Sequence, residues 1–196
     1  GTRAQIGDVW YTDMQQIVVN LIDVNEAPVF TSNSSFSIDE NINSLNLGTV
    51  QATDEDGDSL TYSISGSDMT IDSLTGALSL VSTPDYELVS SYSATVTVSD
   101  GVNSSTQNIT VSVNDQNDNA PVFTSASTFS VDENETTIGT ITVSDEDTNS
   151  SVSFSISGSD ISIDSSTGVM TFNSAPDYES QTSYVVTVSA NDGVNI

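Results

Sequence analysis

The segment Asp115-Gln116-Asn117-Asp118-Asn119-Ala120-Pro121-Val122-Phe123 crowds carboxylate and amide oxygens into a few residues and then stops at a proline. Oxygen donors this close repel one another unless a hard cation sits among them, and calcium is the cation that prefers such ligands. A shortened copy occurs earlier as Asp23-Val24-Asn25-Glu26-Ala27-Pro28-Val29-Phe30. Further acidic clusters recur in matched pairs: Asp39-Glu40-Asn41 with Asp132-Glu133-Asn134, Asp54-Glu55-Asp56 with Asp145-Glu146-Asp147, and Asp85-Tyr86-Glu87 with Asp177-Tyr178-Glu179. Asp100 is matched by Asp192. Spaced as A-x-D or D-x-E at strand ends, such residues put alternate side chains on one side, so several can converge on one joint.

Other chemistries lack their parts. The chain has no His, no Cys and only one basic residue, Arg3. Nucleophilic catalysis has no base of the usual kind, zinc has no nitrogen or sulfur ligands, and phosphoryl transfer has no basic clamp. A two-carboxylate glycosidase remains conceivable, but a repeated pattern of acids suits metal binding better, and the expectation is that the chain is not an enzyme. Asp115-x-Asn117-x-Asn119 resembles the opening of an EF-hand loop, yet Ala120 stands at its glycine position and Ala126 at its glutamate position.

The composition narrows the partners. A formal charge of −27 repels nucleic acid and anionic membranes. It also opposes compact folding unless cations screen it. No apolar run reaches membrane-spanning length. Gly1-Thr2-Arg3 carries neither an initiator Met nor a signal-peptide pattern, so the expectation is an internal piece of a larger protein.

The elements that must position the acids come from a repeat. Pro28 and Pro84 return as Pro121 and Pro176, a period of roughly 93 residues that suits tandem domains rather than a solenoid. Ser63-Ile64-Ser65-Gly66-Ser67-Asp68 returns as Ser155-Ile156-Ser157-Gly158-Ser159-Asp160. Phe30, Phe36, Tyr86 and Tyr92 return as Phe123, Phe129, Tyr178 and Tyr184, and these aromatics read as core. Apolar and polar residues alternate, as in Ile109, Val111 and Val113, and turn signals such as Asp56-Gly57-Asp58 and Thr75-Gly76 intervene. About seven short strands per repeat predict an all-β, antiparallel Greek-key sandwich of immunoglobulin-like kind.

Domain phase follows from the same matches. Ile17, Val19 and Leu21 before Asp23 match Ile109, Val111 and Val113 before Asp115. Residues 1–27 therefore read as the closing hairpin and linker of a preceding repeat, with Trp10 in that repeat's core. Residues 28–119 read as a complete repeat, and residues 120–196 as a repeat lacking its last strand.

The acidic pattern, taken in order, resembles the cadherin repeat, whose motifs are xEN, DxD, DxE, A-x-D and DxNDNxPxF. The resemblance covers nearly the whole chain. It implies tandem seven-stranded sandwiches joined by calcium-binding linkers. At the central joint it implies Glu40, Asp85 and Glu87 from the first repeat and Asp115, Asn117, Asp118 and the Asn119 carbonyl from the linker. The second repeat would add Asp145, Asp147 and Asp192. A first joint would use Asp23, Asn25, Glu26, Asp54, Asp56 and Asp100, and a distal one Glu133, Asp177 and Glu179, each with half its partners. The first linker is one residue shorter, with Glu26 in place of Asp118-Asn119. Asp58 and Asp72 read instead as solvated turn residues.

The function implied is a calcium-dependent extracellular adhesion module, acting as a stiffened spacer in a large surface adhesin anchored to a membrane or wall. The alternative is a directly adhesive module that binds its own kind or polysaccharide. Partners are the adjacent repeats, with other adhesin molecules or cell-surface glycans as further candidates. The scarcity of Lys, Arg and Cys leans towards a bacterial surface protein.

Overall fold

The computed structural model describes residues 3–7, 9–12 and 14–194. Strands are the only regular elements among them. The first two, β1 (Arg3–Ile6) and β2 (Val9–Thr12), form an antiparallel hairpin. The side chain of Trp10 lies outside what is described.

The first repeat is a two-layer sandwich. One layer has β4 (Ser35–Asp39), β11 (Ser104–Asn114), β10 (Ser91–Ser99) and β7 (Thr61–Ile64), in that order. The other joins β5 (Asn46–Thr49), β9 (Ala77–Leu80) and β8 (Met69–Ile71), while β3 (Val29–Phe30) pairs with β6 (Ala52–Thr53). Since β3 and β4 are two parts of one run, and β5 and β6 of another, nine segments make seven strands. All pairings are antiparallel except β4 with β11, which is parallel.

Period-two patterning explains the layers. In β11, Ile109, Val111 and Val113 are buried while Asn108, Thr110 and Ser112 face solvent. They meet Val50, Leu78, Val96 and Ile38 in a continuous core. One glycine is indispensable to it. Gly76 has φ +70°, and a Cβ there would lie 2.2 Å from the Val50 carbonyl oxygen, which no relaxed side chain tolerates. Its own carbonyl accepts the Val50 N–H at 2.9 Å, locking the β8–β9 turn onto the β5–β6 run. Gly168 repeats the arrangement against Ile141.

The second repeat has the same plan with less pairing. β12 (Val122–Phe123) pairs with β14 (Val143–Ser144), β17 (Val169–Phe172) pairs with β13 (Thr137–Thr140) on one side and β16 (Ile161–Ile163) on the other, and β15 (Ser153–Ile156) pairs with β18 (Val188–Asn191). Among the described residues, no strand lies where β11 lies in the first repeat. A groove of about 790 Å³ opens there, lined by Phe129, Ile138, Met170, Phe172 and Tyr184 among others. Phe123, Phe129 and Tyr178, expected as core, are 46%, 38% and 64% exposed, because nothing described packs over them. The buried hydrophobics of this repeat are Ile141, Ile161, Met170 and Ala190, of which the first three form its core cluster.

Residues 14–28 form no strand, and Ile17, Val19 and Leu21 are at least three-quarters exposed. Their alternation matches that of β11, but β11 is held between the edges of β4 and β10. Residues 17–21 meet no such edges among the described residues.

Candidate metal centre

The central joint is built on Glu40, the residue after β4. It is 1% exposed, and its two oxygens accept backbone N–H groups from two directions, Oε2 from Tyr86 at 2.6 Å and Oε1 from Gln116 at 2.7 Å. The charge is thereby fixed between the first repeat and the start of the linker. Asp85 accepts the Leu88 N–H at 3.0 Å in the turn that presents Glu87.

Three oxygen clusters line up through the joint, each with its atoms within 4.8 Å of one another. Glu40, Glu87 and Asp115 form one, Glu87, Asp118 and Asp147 the next, and Asp145, Asp147 and Asp192 the third. Glu87 and Asp147 are each shared by two clusters, so the series is continuous from the first repeat through the linker to the second. Asp147 and Asp192 are 4% and 6% exposed. Asn119 donates its N–H and its amide to the two oxygens of Asp147, at 3.0 and 3.1 Å, and the Asn117 amide donates to the Asp192 carbonyl at 3.2 Å.

The electrostatics show strain among these acids. Burial pushes the Glu87 carboxyl above its ordinary range, and the charges of Glu40, Asp118 and Asp147 push it further. Burial likewise raises Asp118, with Glu40, Asp147 and Asp85 adding to it. Several carboxylate oxygens are also buried without a hydrogen bond: Glu87 Oε1, Asp115 Oδ1, Asp145 Oδ2 and, at the first joint, Asp54 Oδ2. Buried acceptors with no donor, packed beside like charges, are costly for the protein alone. They suit a hard divalent cation, and calcium fits the all-oxygen donor set.

The other joints are smaller. At the first, Asp54 and Asp56 are joined by Asp58, a residue read from sequence as a solvated turn. The one signal for it was its place two residues beyond Asp56, matching Asn149 in the second repeat. The Asn25 amide donates to Asp100 at 2.9 Å, and the Glu26 N–H donates to Asp56 at 3.0 Å. The latter contact matches that of Asn119 with Asp147, so Glu26 stands in the place of Asn119 and the residue missing from the first linker is the counterpart of Asp118. Burial, then the charges of Asp56, Glu55 and Asp23, raise the Glu26 carboxyl. At Asp100, desolvation is outweighed by the N–H groups of Val102 and Asn103 and the Asn25 amide, so its carboxyl is lowered. At the distal end, Glu133, Asp177 and Glu179 lie within 4.8 Å of one another and are exposed. Asp23, Glu26, Asp85 and Asp100 belong to none of these clusters.

A family model for the cadherin domain matches residues 34–114 and 127–195. The chain belongs to the cadherin family. Over 201 residues it is 34% identical to mouse "Cadherin EGF LAG seven-pass G-type receptor 2", with 92% of this chain covered and 7% of the relative. Over 88 residues it is 44% identical to mouse "Cadherin-related family member 2", covering 43% of this chain and 7% of the relative. The chain thus spans a small fraction of the curated relatives it matches. Among solved structures, human Protocadherin-24 EC1-2 superposes with a TM-score of 0.65 at 24% identity, covering 86% of this chain and 94% of that one. Mouse Cadherin-23 EC22-24 gives a TM-score of 0.70, also at 24% identity, covering 86% and 61%. These two show the tandem fold. Cadherin domains bind calcium at their linkers, and the oxygen clusters of this chain lie where its linkers meet its repeats. Cadherin relatives are extracellular or cell-surface proteins. No helix of the described residues is long and apolar enough to cross a membrane.

Proposed function

We propose that residues 115–119 and the two repeats they join form a calcium-clamped strut, a spacer in a larger extracellular adhesin. The observation that carries this is the continuous series of oxygen clusters, in which Glu87 of one repeat and Asp147 of the next share a cluster with Asp118 of the linker. Calcium bound there would neutralise the mutual repulsion of the carboxylates. The residues themselves decide what that does. Glu40 and Glu87 come from one rigid sandwich, Asp145, Asp147 and Asp192 from the other, and common ligation ties their relative orientation.

The proposed ligands of the full site are Glu40, Asp85, Glu87, Asp115, Asn117, Asp118, the Asn119 carbonyl, Asp145, Asp147 and Asp192. Asp23, Asn25, Glu26, Asp54, Asp56 and Asp100, and separately Glu133, Asp177 and Glu179, form half-sites of weaker affinity. Residues 1–27 are assigned to the end of a preceding repeat, and residues 120–196 to a repeat whose last strand is not among them. The carboxylates serve as ligands rather than catalytic groups, since they recur at every joint.

Calorimetric titration and small-angle scattering test this together. Calcium should bind the 196-residue chain with one strong class of site, and scattering should show a narrower range of shapes in calcium than in chelator. No binding, or binding indifferent to Asp118→Ala, overturns the reading. Bead aggregation tests the alternative of direct adhesion, homophilic or through glycans: clumping that requires calcium would replace the spacer role.

A further inference from the structure

The two linker carboxylates of the central joint are gripped from opposite repeats by neutral donors. From the second repeat, Thr148 gives its backbone N–H to Asp115 Oδ2 at 2.8 Å and its hydroxyl to the same oxygen, while the Asn149 amide donates to the Asp115 carbonyl at 3.0 Å. Asp115 Oδ1 is left buried with no hydrogen bond, in the carboxylate that clusters with Glu40 and Glu87. From the first repeat, the Asn41 amide donates to Asp118 Oδ2 at 2.5 Å. Asn41 holds the left-handed φ of 59°, with its N–H on the Pro84 carbonyl at 3.0 Å, and this backbone aims the amide at the linker.

We infer that Thr148 and Asn41 are positioning residues that pre-form the central joint before a cation binds. The inference rests on the calcium reading above. A carboxylate oxygen accepts in more than one direction, so a neutral donor orients it and still leaves room for a metal. Each donor also crosses the joint and limits the swing of one repeat against the linker while the carboxylates repel. The ordering of Asp115 and Asp118 is then largely complete before the metal arrives, which raises affinity through preorganisation.

The chain contains its own contrast. The loop matching Thr148-Asn149 in the first repeat is Gly57-Asp58, which has neither the hydroxyl nor the amide. Asn134 matches Asn41 in φ, at 68°, and in its N–H bond to the Pro176 carbonyl. No described linker carboxylate accepts its side chain. The first joint thus lacks the hydroxyl and the amide that Thr148 and Asn149 bring to the linker of the central one.

The test uses the full 196-residue chain. Since it has no Cys, Ser67→Cys and Ser159→Cys place spin labels in equivalent exposed turns of the two repeats. Variants Thr148→Val, Thr148→Gly and Asn41→Gly are compared with the control Asn134→Gly; glycine keeps the left-handed backbone and removes only the amide. Expected are broader inter-label distances in chelator for the three test variants. Calcium affinity should fall by about three- to tenfold, the range for one hydrogen bond to a charged group within reach of solvent. The control should change neither. Unchanged distances with unchanged affinity overturn the inference, and so does tighter calcium binding, which would make the donors competitors of the metal. If the parent binds no calcium, the spacer reading fails by itself, and the distances in chelator still decide whether the donors order the joint.

Discussion

The buried carboxylate of Glu40 accepts the backbone N–H of Gln116 at 2.7 Å, which fastens the linker to the sandwich it leaves. Its other oxygen holds Tyr86 at 2.6 Å. Glu40 is thus a structural anchor as well as a candidate ligand. Glu40→Ala should cost about 3 kcal/mol of stability in chelator, since two buried N–H groups lose a charged acceptor. Glu40→Gln keeps one acceptor and should cost less. Urea denaturation in chelator measures both, and equal stabilities would remove the anchoring role.

Asp118 has no counterpart in the first linker, where Glu26 takes the place of Asn119. Asp118→Ala should weaken calcium binding at the central joint by about tenfold or more, as affinity follows the number of charged ligands. Deleting Asp118 outright, which gives the central linker the length of the first, should weaken binding at least as much. Calorimetry on the two variants checks this.

The raised carboxyls of Glu87 and Asp118 give a pH dependence of definite sign. In chelator the folded state binds their protons more readily than the unfolded state does, so their contribution favours folding below the unfolded value. It is lost as pH rises through the raised folded value. Asp72 and Asp164 act in the opposite sense. The backbone N–H and hydroxyl of Thr75, then the N–H of Leu74, lower Asp72, and Thr167 and Ser166 lower Asp164. Their stabilisation is present above the ordinary Asp range and is lost as pH falls through the lowered values. Thermal melts in chelator from neutral to acid should show Asp118→Asn weakening the first trend and Asp72→Asn weakening the second.

Gly76→Ala should destabilise the first repeat by about 2–4 kcal/mol, combining a positive φ with a Cβ driven into the Val50 carbonyl. Gly168→Ala should do the same in the second repeat, against Ile141. Chemical denaturation measures each, and a loss below about 1 kcal/mol would mean that the turn can shift away.

Much of this protein is legible from residues alone. The alternation of Ile109, Val111 and Val113 yields a strand with one buried face because the side-chain period of an extended chain is a local property. The repeated prolines, Thr-Gly turns and acidic clusters yield tandem sandwiches and mark the joints for the same reason: each is written within a few neighbouring residues. Tertiary structure decided which acids meet. Glu87 and Asp147 share a cluster, Asp58 joins Asp54 and Asp56, and Glu26 replaces Asn119 rather than Asp118. It also decided that Thr148 and Asn41 grip the linker, and that Ile17, Val19 and Leu21 stay exposed while the same pattern in β11 is buried. Those outcomes depend on which loops a sandwich brings to one end and on which edges are available to pair. Both are set by contacts between residues far apart in the chain, and no local pattern encodes them.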